Sequence, residues 1–129
     1  MKGVVWFQDT EEGVRVDAYV SGLPPNNTGF YGFHMHENGS CLRPDFSDAG
    51  GHYNPGHTAH PMHAGDFPML LGTRQGKAWL SFITQRFTVK DIIGRSVVVH
   101  ELRDDYTSQP AGDSGRRIGC GVIREMSAT

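Results

Sequence analysis

No stretch of this sequence has the unbroken apolar run a membrane-spanning helix needs, and no basic-then-apolar opening resembles a secretory leader. Charge of one sign is also scarce. Twelve Lys and Arg stand against fourteen Asp and Glu, for a net charge of −2 and a pI near 6.4. That balance gives no footing to a nucleic-acid binder or a membrane-surface binder. Long apolar patterns of helical period are missing, as are internal repeats and low-complexity tracts. Cysteine is limited to Cys41 and Cys120. The pair allows one disulfide, worth roughly 4 kcal/mol on the loop-entropy model, or two buried thiols in a reducing cytosol; the count alone does not choose.

What is present is turn chemistry and short strands. The 129 residues include 17 glycines and seven prolines, which favours one single domain over residues 1–129 built from short strands and turns. Apolar and β-branched clusters predict strands over Gly3–Gln8, Val14–Val20, Phe30–His36, Lys77–Ile83, Ser96–Glu101 and Ile118–Arg124, with a weaker one near Asp66–Gly72. Two polar, irregular stretches, Glu37–Gly65 and Arg103–Arg117, are too long to be idle connections in a small domain. The expected class is all-β: a Greek-key sandwich or flattened barrel of about seven antiparallel strands, with two long functional loops.

Six of the seven histidines fall between positions 34 and 63. His34-Met35-His36 ends a strand pattern, where a period of two puts both imidazoles on one face and Met35 on the other. Alone, the pair is as well read as two solvated strand-end histidines. His60-Pro61-Met62-His63-Ala64-Gly65-Asp66 adds two imidazoles and a carboxylate in seven residues, and His52 offers a fourth ligand. Nitrogen and oxygen donors in that number suit a tetrahedral zinc ion. His100 closes the Val97-Val98-Val99 run.

Five separated motifs then carry a resemblance. Gly32-Phe33-His34-Met35-His36-Glu37, Gly51-His52-Tyr53-Asn54-Pro55, His63-Ala64-Gly65-Asp66, Gly94 through Glu101, and Arg117-Ile118-Gly119-Cys120-Gly121 resemble, in order, the Cu,Zn superoxide dismutase family. The resemblance covers the chain from about Gly3 to its end. It implies an oxidoreductase that dismutes superoxide, with copper held by His34, His36, His52 and His100. It implies zinc held by His52, His60, His63 and Asp66, with His52 shared. It also implies a Cys41–Cys120 disulfide, a carboxylate at Asp104 bridging one copper and one zinc histidine, and a substrate-guiding Arg117 with Arg116 as a candidate helper. In the implied cycle His52 is also catalytic, carrying a proton while zinc keeps hold of its ring. The loop charges otherwise nearly balance, so strong long-range steering is not expected.

The chain departs from the family pattern in three places. The strand that usually precedes Gly3 is absent, so the Gly3–Gln8 edge is expected to be unpaired and covered by another copy in a homo-oligomer. The zinc loop is trimmed and holds His57, a competitor to His60. The loop between His100 and Arg117 is short as well. A dismutase-like protein that only buffers or delivers metal is the alternative function, against which stands the complete set of copper histidines and the arginine. The compartment stays open between the cytoplasm and an exported location with the leader removed.

Overall fold

The chain's longest apolar alternation, Val14-x-Val16-x-Ala18-x-Val20, is the centre of its first sheet. The structure, a computed structural model, describes residues 1–126. Strand β1 (Lys2–Thr10) turns at Glu11-Glu12 into β2 (Gly13–Ser21), and the two pair antiparallel from Lys2↔Ser21 to Thr10↔Gly13. Gly13 leaves that turn at φ 136°, where a side chain would be strained. The outer edge of β2 pairs with β6 (Ala78–Thr84), giving the order β1-β2-β6. The inward residues of β2 are buried while Arg15 and Tyr19 on its other face are exposed, as a half-covered antiparallel sheet requires.

A second sheet faces the first. It consists of β4 (Phe33–His36), β7 (Ser96–His100) and β8 (Arg117–Val122) in the order β4-β7-β8. A small pair, β3 (Phe30–Tyr31) with β5 (Leu70–Leu71), completes the antiparallel sandwich. The only described α-helix is one turn, α1 (Val89–Ile92), entered at Thr88, whose N–H donates to Asp91 Oδ2 at 3.1 Å. The core between the layers includes Val14, Val16, Phe33, Met35, Phe67, Leu70 and Ile92. Phe33 and Phe67 meet in it with ring centroids 5.1 Å apart.

The predicted strands are present with adjusted limits. Phe30–His36 is two strands rather than one, because Gly32 leaves the ladder: its N–H donates to Leu102 O and its carbonyl accepts from His100 N–H. The Asp66–Gly72 segment shrinks to Leu70–Leu71. The last strand stops at Val122: Ile123 N–H still reaches Arg95 O in register, but Ile123 O accepts from Gly94 N–H while Arg95 N–H turns back to Ile92 O. Met35 enters the core as its parity requires. His34 and His36 on the opposite parity are also buried, at 0% and 1% exposure, because a loop covers them.

Candidate metal centre

The β4 backbone is the template on which the first long loop is laid. Met35 N–H donates to Gly65 O, Tyr53 N–H donates to Met35 O, and Gly65 N–H donates to Tyr53 O, each at 2.8–3.0 Å. Bridges His36↔His52 and His34↔Asp66 follow from the same stitching. The loop therefore returns twice to the strand carrying His34 and His36, bringing His52 on one pass and His63 and Asp66 on the next. A Cβ on Gly65 would run into the Met35 carbonyl, so this approach needs glycine. The loop is also tied down by the Cys41–Cys120 disulfide to β8 and by Arg95, whose guanidinium lies 3.9 Å over the Tyr53 ring.

His100 comes from the other side. The β7/β8 register slips between Val99 and His100, so His100 pairs with Arg117 at the mouth of the sheet. Such a bulge re-aims the side chain at its end. The imidazoles of His34, His36, His52 and His100 then cluster, with ring centroids of His34 4.0 Å from His52 and 4.7 Å from His100.

Each of these rings has one nitrogen engaged and one bare. His34 Nε2–H donates to Asp104 Oδ2 at 2.8 Å, His36 Nδ1–H to Gly50 O at 2.8 Å, and His100 Nδ1–H to Gly115 O at 3.3 Å. These partners can only accept, so the remaining nitrogens carry lone pairs. His34 Nδ1, His36 Nε2, His52 Nε2 and His100 Nε2 are all buried and lack any hydrogen-bond partner. Buried polar atoms are rarely left so. One donor atom from each of the four residues lies within 4.8 Å of all the others. Four converging imidazole lone pairs fit a copper ion.

A second set gathers around Asp66. Its Oδ1 lies 2.7 Å from His52 Nδ1, and its Oδ2 lies 3.0 Å from His60 Nδ1 and 3.1 Å from His63 Nδ1. His52 and His63 Nδ1 are themselves 3.1 Å apart. A zinc tetrahedron with bonds of about 2.0–2.1 Å has edges of about 3.3 Å, so these separations fit zinc. The grouping His34, His52, His60 and Asp66 is also compact. His63 is the better fourth member, because its Nδ1 lies beside both Asp66 and His52 while His34 Nε2 is spent on Asp104. His57 is exposed, so His60, at 3% exposure, is the histidine that the trimmed loop turns inward.

Asp104 joins the two sets. Its Oδ1 accepts from His60 Nε2–H at 2.8 Å while its Oδ2 holds His34. Burial raises its pKa, but the two imidazole hydrogen bonds and Tyr106 N–H outweigh this and leave it at about 2. Burial, aided by neighbouring imidazoles and the charge of Arg117, pushes His36 down to about 2 and His100 to about 3. Burial likewise takes His52 down to about 4, opposed by Asp66. All three stand neutral at pH 7, the form a metal needs.

Arg117 donates from Nη1 to Phe46 O at 2.8 Å and from Nη2 to Gly50 O at 2.6 Å, the carbonyl that also holds His36. The guanidinium is thus fixed beside the four-histidine set, with burial lowering its pKa. Arg116 points elsewhere. Its side chain is 84% exposed and its Nε pairs with Glu101 Oε2 at 3.0 Å, so it is a solvated ion pair and not a second guide.

Sequence reading misses four participants. The carbonyls of Gly50 and Gly115 orient His36 and His100, and a backbone acceptor leaves no side-chain signal. Gln109 clamps the zinc loop, donating from Nε2 to His60 O and accepting at Oε1 from His60 N–H, both at 2.8 Å. A glutamine in a polar loop gives no warning of this. Gly112 packs so tightly on Asp104 that a Cβ there would overlap Oδ1.

The chain is similar over most of its length to known proteins. Residues 1–123 match the family described as copper/zinc superoxide dismutase (SODC). Superoxide dismutase [Cu-Zn] 2 of Aquifex aeolicus is 38% identical over 130 residues, covering 90% of this chain and 75% of the relative. Superoxide dismutase [Cu-Zn] of Deinococcus radiodurans is 37% identical over 145 residues, covering 97% and 78%. Among solved structures, the Cu/Zn superoxide dismutase from Brucella abortus superposes with a TM-score of 0.81 at 34% identity, over 94% of this chain and 87% of that one.

Proposed function

This chain belongs to the copper/zinc superoxide dismutase family, and on that premise we propose that it converts two superoxide anions and two protons into one dioxygen and one hydrogen peroxide. The observation that carries the reading is the set of four bare, buried imidazole nitrogens beside a fixed guanidinium. His34 Nδ1, His36 Nε2, His52 Nε2 and His100 Nε2 would hold copper, which supplies a one-electron couple, while zinc at His52, His60, His63 and Asp66 supplies charge and rigidity without redox chemistry.

The protein's own groups do the rest. Arg117 offers fixed positive charge to a small anion at the site, raising its local concentration. His52 is the ring common to both donor sets: its Nδ1 is held beside Asp66 and His63, while its Nε2 faces the other histidines. With the ring so held, its Nε2 would take a proton from solvent whenever copper does not occupy its lone pair, and would give that proton to peroxide. Asp104 keeps His34 and His60 in the tautomers that leave Nδ1 free on each.

The test is superoxide decay in the presence of catalytic amounts of the copper- and zinc-loaded protein, with dioxygen and peroxide both measured. Equal yields at a rate proportional to bound copper are expected. Stoichiometric metal binding without turnover would contradict the proposal and favour metal storage.

A further inference from the structure

His52 and Asp66 are bridged to β4, but His60 and His63 lie between those two passes of the loop. Among the described residues, the backbone–backbone hydrogen bonds of the span from His60 to His63 are local. Met62 N–H donates to Ala59 O at 2.7 Å, and Asp66 N–H donates to His63 O at 3.0 Å. Neither ties the span to a strand.

Two side chains from elsewhere in the chain do what the sheet does not. Gln109, from the second long loop, meets both main-chain groups of His60. Arg86, from the connection between β6 and α1, takes the other end. Its Nη1 donates to Pro61 O and to His63 O, each at 2.9 Å, and its Nη2 lies 3.9 Å from Met62 Sδ. Arg86 is itself anchored. Its N–H donates to Thr84 Oγ1 at 3.2 Å, and the next residue, Phe87, is buried with its ring centroid 6.2 Å from that of Phe67. Phe67 follows Asp66, so the guanidinium and the carboxylate each stand one residue from the same aromatic pair. An ordinary surface arginine faces a carboxylate or water, yet no carboxylate among the described residues pairs with Arg86.

On the reading that His52, His60, His63 and Asp66 hold zinc, we propose that Arg86 is a positioning residue for that metal. With Gln109 it forms a two-sided clamp on the backbones of His60 and His63, so that both Nδ1 atoms face Asp66. Those atoms lie 3.0 and 3.1 Å from Asp66 Oδ2. An imidazole swings with its own Cα, so releasing either backbone lets one ligand leave this arrangement. Ligands already in place need less ordering when the metal arrives. A guanidinium suits the task, because its rigid fork holds two carbonyls at a set spacing and its charge strengthens each hydrogen bond. That same charge, acting only through space, repels a dication. The two roles therefore have opposite signs: removing a mere charge tightens zinc binding, whereas removing a clamp weakens it.

Competition for zinc(II) between the copper-loaded full chain and a chromophoric chelator, with copper content checked afterwards, reads the sign. Arg86→Met and Gln109→Met keep the length of each side chain and remove its hydrogen bonds to the loop. Each should weaken zinc binding about tenfold or more. Arg86→Lys, which keeps a donor, should recover part of the loss. Cobalt(II) in place of zinc should give visible bands that shift in the two Met variants and return toward the parent in Arg86→Lys. Both residues are exposed, so thermal unfolding of the metal-free variants should stay close to the parent's. Unchanged or tighter zinc binding in Arg86→Met, with zinc bound by the parent, would overturn the clamp and leave the zinc site standing. A loss of zinc affinity matched by a collapse of the metal-free fold would also overturn it, assigning Arg86 to stability. A parent that binds no zinc would overturn the zinc reading itself, and the clamp with it.

Discussion

Arg117 is held on the carbonyls of Phe46 and Gly50, the second of which also holds His36, and in the proposed reaction its charge is what the small anion meets. Arg117→Ala should lower kcat/KM for superoxide by at least about tenfold, within the range expected of local charge steering. Copper content should be unchanged, since no ligand is lost; pulse radiolysis with metal analysis reads both. Asp104 acts through other residues. Asp104→Asn swaps an acceptor for a donor at one of its two imidazole contacts and should weaken zinc binding about 10–100-fold, as measured by competition with a chromophoric chelator. Every side chain of the two donor sets is legible in the sequence, because imidazoles and a carboxylate stand out by type and spacing along the strand and loop. The orienting carbonyls of Gly50 and Gly115 are not, since any residue has a carbonyl. Gln109 is hidden for a related reason: its role exists only where the second loop folds over the first.

At the scale of elements, the two long loops do the work and the sandwich holds them. The first loop is pinned to β4 by three backbone hydrogen bonds and to β8 by the Cys41–Cys120 disulfide. Closing that 79-residue separation should stabilise the fold by roughly 4 kcal/mol. Cys41→Ser with Cys120→Ser is therefore expected to lower the urea midpoint of the metal-free protein, which equilibrium unfolding checks. Copper affinity should fall too, because Phe46 and Gly50, which anchor Arg117 and His36, lie in the segment the disulfide restrains. Strand positions were largely readable because β2, β6 and β7 carry strong apolar patterns. The break at Gly32 was not. A glycine inside an apolar run does not reveal that the chain changes sheets there, since that depends on where Leu102 and His100 return.

The whole molecule buries neutral imidazoles between its loops and its second sheet, and this ties stability to pH. His36, His52 and His100 stand at about 2, 4 and 3 in the folded protein, each mainly through burial, against an ordinary value near 6.5. Below about pH 6.5 the unfolded chain takes up protons on these rings that the folded chain refuses. The stability they confer is thus fully present above that pH and is lost as pH falls toward 4 and below. The slope is about 1.4 kcal/mol per group per pH unit at most. Thermal unfolding of the metal-free protein should show a melting temperature that is flat above pH 7 and falls steadily below 6. A melting temperature constant to pH 4 would show that the rings are solvated rather than enclosed.

The central claim is that four histidines with converging bare nitrogens, beside Arg117, make this chain a dismutase. Its most direct test is superoxide dismutation by the copper- and zinc-loaded protein beside His100→Ala, with copper and zinc content measured in both. Rapid turnover in the parent, with loss of turnover and of tight copper binding but retention of zinc in the variant, is the expected result. Turnover that survives in His100→Ala, or a fully metallated parent with none, would contradict the account.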